Sequence, residues 1–443
     1  MAASSAQECT TPTIDVRGLL NGSRHRHDCS VLHRVCLFND TILPAVAGGR
    51  AERKAQALAK SMRVRSMYGS HQVNPLEFWH PMRAPEPGGL GAMLIKRASF
   101  SPCVPLLWVP VWAFSFAEVF INSVVPLHEL LEAGLVDEHV LLRPDLHTRP
   151  FGKYKFYEMV AALSRERSTT LREAATRCRG RAAERAARGD VRWPCEPRCY
   201  QRLVFCNFKS TFDQYAPPMA PWSAAQRVAR RLLPRPPPPL PVAAVAARRV
   251  LFVNRTGTKF SRSLVNLRQL VEQCSRRGGG AGGAGGAGGV VAREGCEAHE
   301  FGRRGVAVDA AAAQRAGVLV GTHGAGLVYG FFLPRGGSLV EVRPYRFEGK
   351  WPDRYFRDLS ALEASPLYFQ VSSGSPALSV PPPKPDVSVW DARDHGVRLP
   401  WRALREVLAK VAWCAGSAEK HAQLVAGGRN VVVSQPSRHQ QQT

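Results

Sequence analysis

Apolar positions along this chain fall into short runs whose period changes from one segment to the next. Ala316-Gly317-Val318-Leu319-Val320 is an unbroken apolar run bounded by glycine, the pattern of a strand covered on both faces in a parallel sheet. The turn Gly321-Thr322-His323-Gly324-Ala325-Gly326-Leu327 comes next, and Leu327 to Leu333 then predicts a helix that stops at Pro334. Ser338-Leu339-Val340-Glu341-Val342-Arg343-Pro344 reads as the next strand. Val250–Asn254 is a further strand, succeeded by a polar loop and a helical segment over Leu264–Cys274. Nearer the start, Ala117–Ala133 and Tyr154–Leu163 carry helical spacing. Trp401–Trp413 places Leu404, Val407, Leu408 and Val411 on one helical face. Strands alternating with helices predict an α/β protein.

Composition sets the boundaries between these patterns. Residues 1–25 read as disordered, and 26–221 as an N-terminal domain that opens with an irregular cysteine-bearing lead-in over 26–100. The stretch 222–249 contains Pro234-Arg235-Pro236-Pro237-Pro238-Pro239 and reads as a stiff Pro/Arg/Ala-rich linker. A C-terminal domain spans 250–415, with the glycine-rich insert 278–289 inside it and an extended Pro376–Pro385 stretch. Residues 416–443 read as a flexible tail.

The glycine turn is where chemistry enters. Glycines between a parallel strand and a helix let the backbone approach a ligand closely, and the amides opening the helix favour a phosphate. His323 offers a further hydrogen-bond donor to that phosphate, and Glu341, on the next parallel strand, is placed to accept from ribose hydroxyls. The plain alternative is a tight connection whose glycines satisfy only local geometry. The turn is neither G-x-G-x-x-G nor a Walker A loop, since no Lys-Ser/Thr pair succeeds it.

At 443 residues the chain is long enough for two cores. A net charge of +25 suggests an anionic partner. Much of that charge lies in the biased segments Arg177–Arg188, Arg227–Arg235 and Arg276–Arg277, without the interleaved aromatics of a nucleic-acid-binding sheet, so nucleic acid is not the expected partner. The chain has eleven cysteines. Cys195, Cys199 and Cys206, or Cys296 with His299, have poor spacing for zinc, so no metal site is expected and disulfides fit better. Connectivity is open from sequence, with Cys29–Cys36 the first pairing expected. Sequons stand at Asn21, Asn39 and Asn254, the last at the end of a buried strand. Met1–Arg17 lacks the basic start and apolar core of a signal peptide. The apolar window Val104–Leu127 contains Glu118, Asn122 and internal prolines, and reads as core instead of a membrane span.

Taken together, H-G-A-G-L, then F-L-P-x-G, then V-E-V-x-P resembles the nucleotide-sugar half of glycosyltransferase family 61. Arg262, Leu264 and Asn266 meet that family's R-x-(I/L)-x-N, and Arg255 lies just upstream. Cys29 with Val35–Asn39, and Leu203–Phe208, resemble its N-domain entry and closing strand. The resemblance implies a GT-B type fold, with two Rossmann-like domains facing a cleft, here carrying low-complexity inserts. It also implies an enzyme of the Golgi or endoplasmic reticulum lumen. Such an enzyme transfers xylose, arabinose or N-acetylglucosamine, with inversion, from a UDP-sugar donor to a glycan or glycoprotein acceptor, with no metal required and membrane association only through an anchor. The donor would be held by Gly321, His323, Gly324, Ala325, Gly326, Leu327, Arg255, Arg262, Asn266 and Glu341. A terminal helix at 401–413 would brace the N-domain. One departure matters: where the family has N-x-x-H-x-F-x-D, this chain has Glu118 for the histidine and Asn122 for the aspartate. Asparagine cannot take the acceptor proton, so Glu118 is the replacement base, with Asp309 in reserve. The same departure allows a degenerate relative that binds without turnover.

Overall fold

The computed structural model describes residues 9–21, 27–38, 41–44, 53, 95–96, 98–108, 110, 115–144, 156–170, 174, 198–208, 220–234, 241–255, 262–278, 294–348, 351–381 and 389–436. The chain divides into two compact units, Met1–Gln214 and Tyr215–Thr443. Each is an α/β structure with parallel strand pairs.

The N-terminal sheet contains β1 (Asp28–Phe38), β2 (Thr41–Pro44), β3 (Phe100–Ser101), β4 (Pro105–Trp108), β5 (Leu141–Pro144) and β6 (Arg198–Asn207). Its order is β2-β1-β6-β4-β5, with β3 also paired to β6. The β6–β4–β5 side is parallel, while β1 runs antiparallel to both β2 and β6. The segment expected as an irregular lead-in therefore holds one of the longest strands. In the β1–β6 register Cys29 faces Cys206 and Cys36 faces Cys199, and both pairs are disulfides, with Cα separations of 4.1 and 4.0 Å. Cys9–Cys103 is a third. The expected Cys29–Cys36 pairing is corrected: at roughly 3.4 Å per strand residue the two are about 24 Å apart along β1, beyond any bridge.

Val104–Leu127 is core, as its polar interruptions indicated. All of β4 is buried, and the Trp108 indole donates to Ser123 Oγ at 3.1 Å. The helix after it runs over Phe116–Val119, widens to a π turn over Phe120–Val124, and resumes over Val125–Glu132. Pro126 has no N–H to give the carbonyl of Asn122 and its ring crowds that carbonyl; the wider turn lies where the helix must absorb both effects.

The C-terminal unit is built on β7 (Arg249–Val253), β8 (Cys296–His299), β9 (Ala316–Thr322), β10 (Ser338–Arg343), β11 (Leu367–Ser373) and β14 (Val431–Ser434). A short pair, β12 (Ser379–Val380) with β13 (Gly396–Val397), occupies part of the stretch expected as an extended proline segment. The main sheet has the order β14-β11-β10-β9-β7-β8, and every pairing is parallel. Its apolar residues meet Leu404, Val407, Leu408 and Val411 of the Trp401–Cys414 helix. That helix thus packs on the sheet of its own unit, which replaces the expectation that it braces the other.

Two further expectations change. Pro221–Leu232, placed in the linker, is a helix that buries Ala224, Ala225, Val228 and Ala229. Its Gln226 amide donates to the carbonyls of Phe331 and Leu333, and the Trp222 indole also donates to Leu333 O. Alanine-rich arginine helices and polyproline share composition, which hid the difference. The proline run at 235–240, most of the glycine-rich insert, the Arg177–Arg188 segment, Cys195 and the Asn39 sequon lie outside the described residues. The tail is not loose either. Ser417 caps a helix over Ala418–Ala426, and Val431–Ser434 extends the sheet beside β11. A fourth disulfide, Cys274–Cys296, ties the Leu267–Gly278 helix to β8. With Cys199, Cys206 and Cys296 all bridged, none is a metal ligand, and no metal-binding group occurs among the described residues. The four disulfides fit a secreted or lumenal protein. Among the described residues no helix is long and apolar enough to cross a membrane.

Peptide mapping under non-reducing conditions should recover 29–206, 36–199, 9–103 and 274–296, and a 29–36 link would contradict the register described. Replacing Cys36 and Cys199 with alanine should destabilise the N-terminal unit by about 2–4 kcal/mol, the usual cost of losing a bridge that closes a long loop, read as a lower unfolding midpoint.

Candidate functional site

In the C-terminal sheet the chain leaves β7 for β8 on one side and returns to β9 on the other. The carboxyl ends of β7 and β9 therefore flank a topological switch point, where open parallel sheets leave a crevice for ligands. The glycine turn and Arg255 occupy those two ends.

Gly324 makes the turn possible. Its φ of +152° with ψ of 178° belongs to a region open essentially to glycine, and a Cβ there would stand 2.3 Å from Arg255 Nη1. The Arg255 guanidinium thus lies directly over the turn and donates to the carbonyl of His323 at 3.4 Å. At Gly326 a Cβ would meet Val253 Cγ1 at 2.8 Å, so this second glycine brings the segment against β7. The turn leads into a 3-10 helix over Ala325–Phe332, narrower than an α-helix but still opening with unbonded amides towards the turn. Leu327 lies beneath, fully buried, and supports the turn from inside the core.

Arginine surrounds this point. Arg262 Nε donates to Asp394 Oδ1 at 2.6 Å, and Arg393 Nε reaches the same oxygen at 3.0 Å. The Arg262 carbonyl accepts from Thr322 Oγ1 at 2.8 Å, which fixes it to the end of β9. Arg255 has no carboxylate partner among the described residues. Burial, then the neighbouring Arg262 charge, lower its pKa to about 10, against a smaller opposing pull from Asp394. It stays charged at neutral pH, but in a setting that favours an arriving anion.

His323 and Glu341 are joined. His323 Nδ1 lies 2.6 Å from Glu341 Oε1, and Glu341 Oε2 accepts from Arg343 Nε and Nη2 and from the Tyr368 hydroxyl. Glu341 is fully buried. Burial alone would raise its pKa; Arg343, His323 and Tyr368 outweigh that and bring it to about 2. Burial lowers the His323 pKa, partly offset by Glu341. The expectation that Glu341 holds ribose is accordingly corrected: both oxygens are engaged inside the protein, and its task is to orient His323.

Asn266 is corrected in the same way. Its amide donates to Leu399 O at 2.9 Å and its Oδ1 accepts from Leu399 N at 3.0 Å, clasping the backbone near β13 and leaving no group for a nucleotide. Asp309 is buried and accepts from His299 Nε2, Gly302 N and Tyr329 OH at 2.8, 2.6 and 2.9 Å. It ties the Val306–Arg315 helix to its neighbours and is no reserve base.

Glu118 lies in the N-terminal unit, just before the π turn that Phe120 opens. Its Oε2 accepts from Asn122 Nδ2 at 2.6 Å, so the two positions share a helical face as the four-residue spacing requires. Desolvation raises the Glu118 pKa to about 7, against the lowering effect of the Asn122 bond. Asn122 is buried, and its Oδ1 has no hydrogen-bond partner among the described residues. Sequence reading missed Arg343 and Tyr368, and Arg393 with Asp394. Arg343 was readable: opposite charges two apart on a buried strand share a face. Asp394 reaches Arg262 across 132 residues, and nothing local announces it.

Two measurements check these electrostatics. Because the Glu118 pKa is raised from 4.5 to about 7, its ionisation costs stability: the cost is absent below pH 4.5, grows between 4.5 and 7, and is complete above 7. Glu118→Gln should therefore match the parent at pH 4 and be more stable at pH 8, by on the order of 3 kcal/mol, in denaturant melts. Arg343→Met leaves the Glu341 charge buried without its main partner and should cost about 3–5 kcal/mol in the same assay. Compared with known proteins, the chain matches no family model and no curated protein.

Proposed function

We propose that this protein is an inverting glycosyltransferase of GT-B type that moves xylose, arabinose or N-acetylglucosamine from a UDP-sugar to a glycan or glycoprotein hydroxyl in the Golgi or endoplasmic reticulum lumen. The observation that carries this reading is Arg255: a half-buried guanidinium without a carboxylate partner among the described residues, lying over Gly324 at the switch point of a parallel sheet. Arg255, Arg262, His323 and the amides of the turn would hold the diphosphate. Their charge would stabilise the negative charge that develops on the leaving UDP. In this reading no metal is needed for that task. Glu118 would accept the acceptor's proton, since a carboxyl with a pKa of about 7 is half ionised at the working pH of such a reaction.

A second reading, a nucleotide-sugar or glycan binder without turnover, is favoured by Asn122, a buried amide where the resemblance places a carboxylate. UDP release from a panel of UDP-sugars separates the two. The first reading expects turnover of one donor, lost in His323→Ala and falling below pH 7 with Glu118. The second expects binding alone, with turnover appearing in the Glu118→His/Asn122→Asp double variant. In either case Arg255→Ala should weaken UDP binding by roughly 10- to 150-fold in calorimetry, the worth of one charged hydrogen-bonding group, about 1.5–3 kcal/mol. Undiminished binding in that variant would remove the donor site from this edge.

A further inference from the structure

The tautomer of His323 sets a condition on what binds there. Glu341 is held as a carboxylate by Arg343 and Tyr368, whose N–H and O–H groups point at Oε2. The remaining oxygen, Oε1, can only accept, so His323 Nδ1 must be the nitrogen that carries hydrogen. In the neutral ring Nε2 then presents a lone pair, and Nε2 has no hydrogen-bond partner among the described residues. A lone pair facing a phosphate oxygen is repulsive. The sequence-based view of His323 as a ready-made phosphate donor therefore holds only after a proton has been added.

Resting on the donor-site reading above, we infer that a nucleoside diphosphate binds together with one proton, which bonds to His323 Nε2. The atoms balance simply: solvent or buffer gives the proton, Nδ1–H stays on Glu341 Oε1, and the imidazolium donates from both nitrogens, one to the carboxylate and one to a phosphate oxygen. The groups around the ring decide the direction of the coupling. Glu341 favours the imidazolium, whereas Arg343 from the same strand and Arg262 from the segment after β7 oppose it. Arg255 places its guanidinium on the His323 carbonyl. Phe347 and Phe356 pack on the ring at 4.8 and 5.5 Å and remove water from it. The Asp353 carbonyl binds Arg343, and Tyr368 binds Glu341, so neither answers the ring directly. Without a ligand, burial and two arginines keep the ring neutral; a diphosphate supplies the opposing negative charge. Proton and anion then each favour the other's binding, and the coupling is reciprocal.

The test is calorimetry of UDP and of inorganic pyrophosphate at pH 8, where both ligands have already lost their protons. Each titration is run in phosphate and in Tris, whose ionisation enthalpies differ. The inference expects the apparent enthalpies to differ by the amount corresponding to close to one proton taken up per ligand. It also expects affinity to fall towards tenfold per pH unit on the alkaline side. His323→Gln supplies an amide N–H that needs no proton, so it should bind with no buffer dependence and a flat pH profile. UDP binding without proton uptake in the parent overturns the inference and leaves the donor site standing. Uptake that persists in His323→Gln overturns it too, by placing the proton elsewhere. Absence of binding by either ligand at every pH overturns the donor site and this inference together.

Discussion

One buried ion pair organises the C-terminal unit. Glu341 and Arg343 stand two residues apart on a strand covered on both faces, where an ionised side chain alone would be untenable. Each makes the other admissible, and Tyr368 from β11 completes the shell. Once this network exists, Glu341 has one oxygen left, and His323 is fixed by it. The glycine turn, Arg255 above it and the anion-favouring field all refer back to the position of that ring. A cluster of this kind adds little net stability compared with apolar packing, so its retention points to a role in geometry.

The two carboxylates singled out in this protein show how surroundings divide a shared chemistry. Glu341 is wrapped by donors and a guanidinium and is held near a pKa of 2; Glu118 has one amide for company and rises to about 7. The first is spent on holding a neighbour in place, the second is poised between its two protonation states. Pairs of acids driven apart in this way are how one protein assigns different tasks to one functional group.

Much of the C-terminal sheet was legible because its signals are local. Ala316–Val320, Ser338–Arg343 and Val250–Val253 are short β-branched runs, and the glycines between two of them announce the turn. The parts that stayed hidden depend on distant partners. β1 reads poorly because Asp28, His33 and Arg34 interrupt its alternation, and only its pairing with β6 explains why they are tolerated. Glu341 and Asn266 look like ligand-facing polar residues in sequence; their partners, Tyr368 and Leu399, lie 27 and 133 residues on. The Val431–Ser434 run was readable as a strand but lay in a tail with no visible second strand, since its partner β11 precedes it by a helix pair.

The cysteine pairs also impose a timetable on biogenesis. Cys274 and Cys296 are 22 residues apart and can meet soon after both leave the ribosome. The partners of Cys29 and Cys36 lie 177 and 163 residues downstream, so for most of N-terminal synthesis both thiols stand exposed without their proper mates. During that interval they are near each other in sequence, and a mistaken local bridge is the easier product. The native pairing must then be reached by exchange, which places this protein among the clients of a disulfide isomerase and makes its yield a matter of the folding machinery as much as of its own stability.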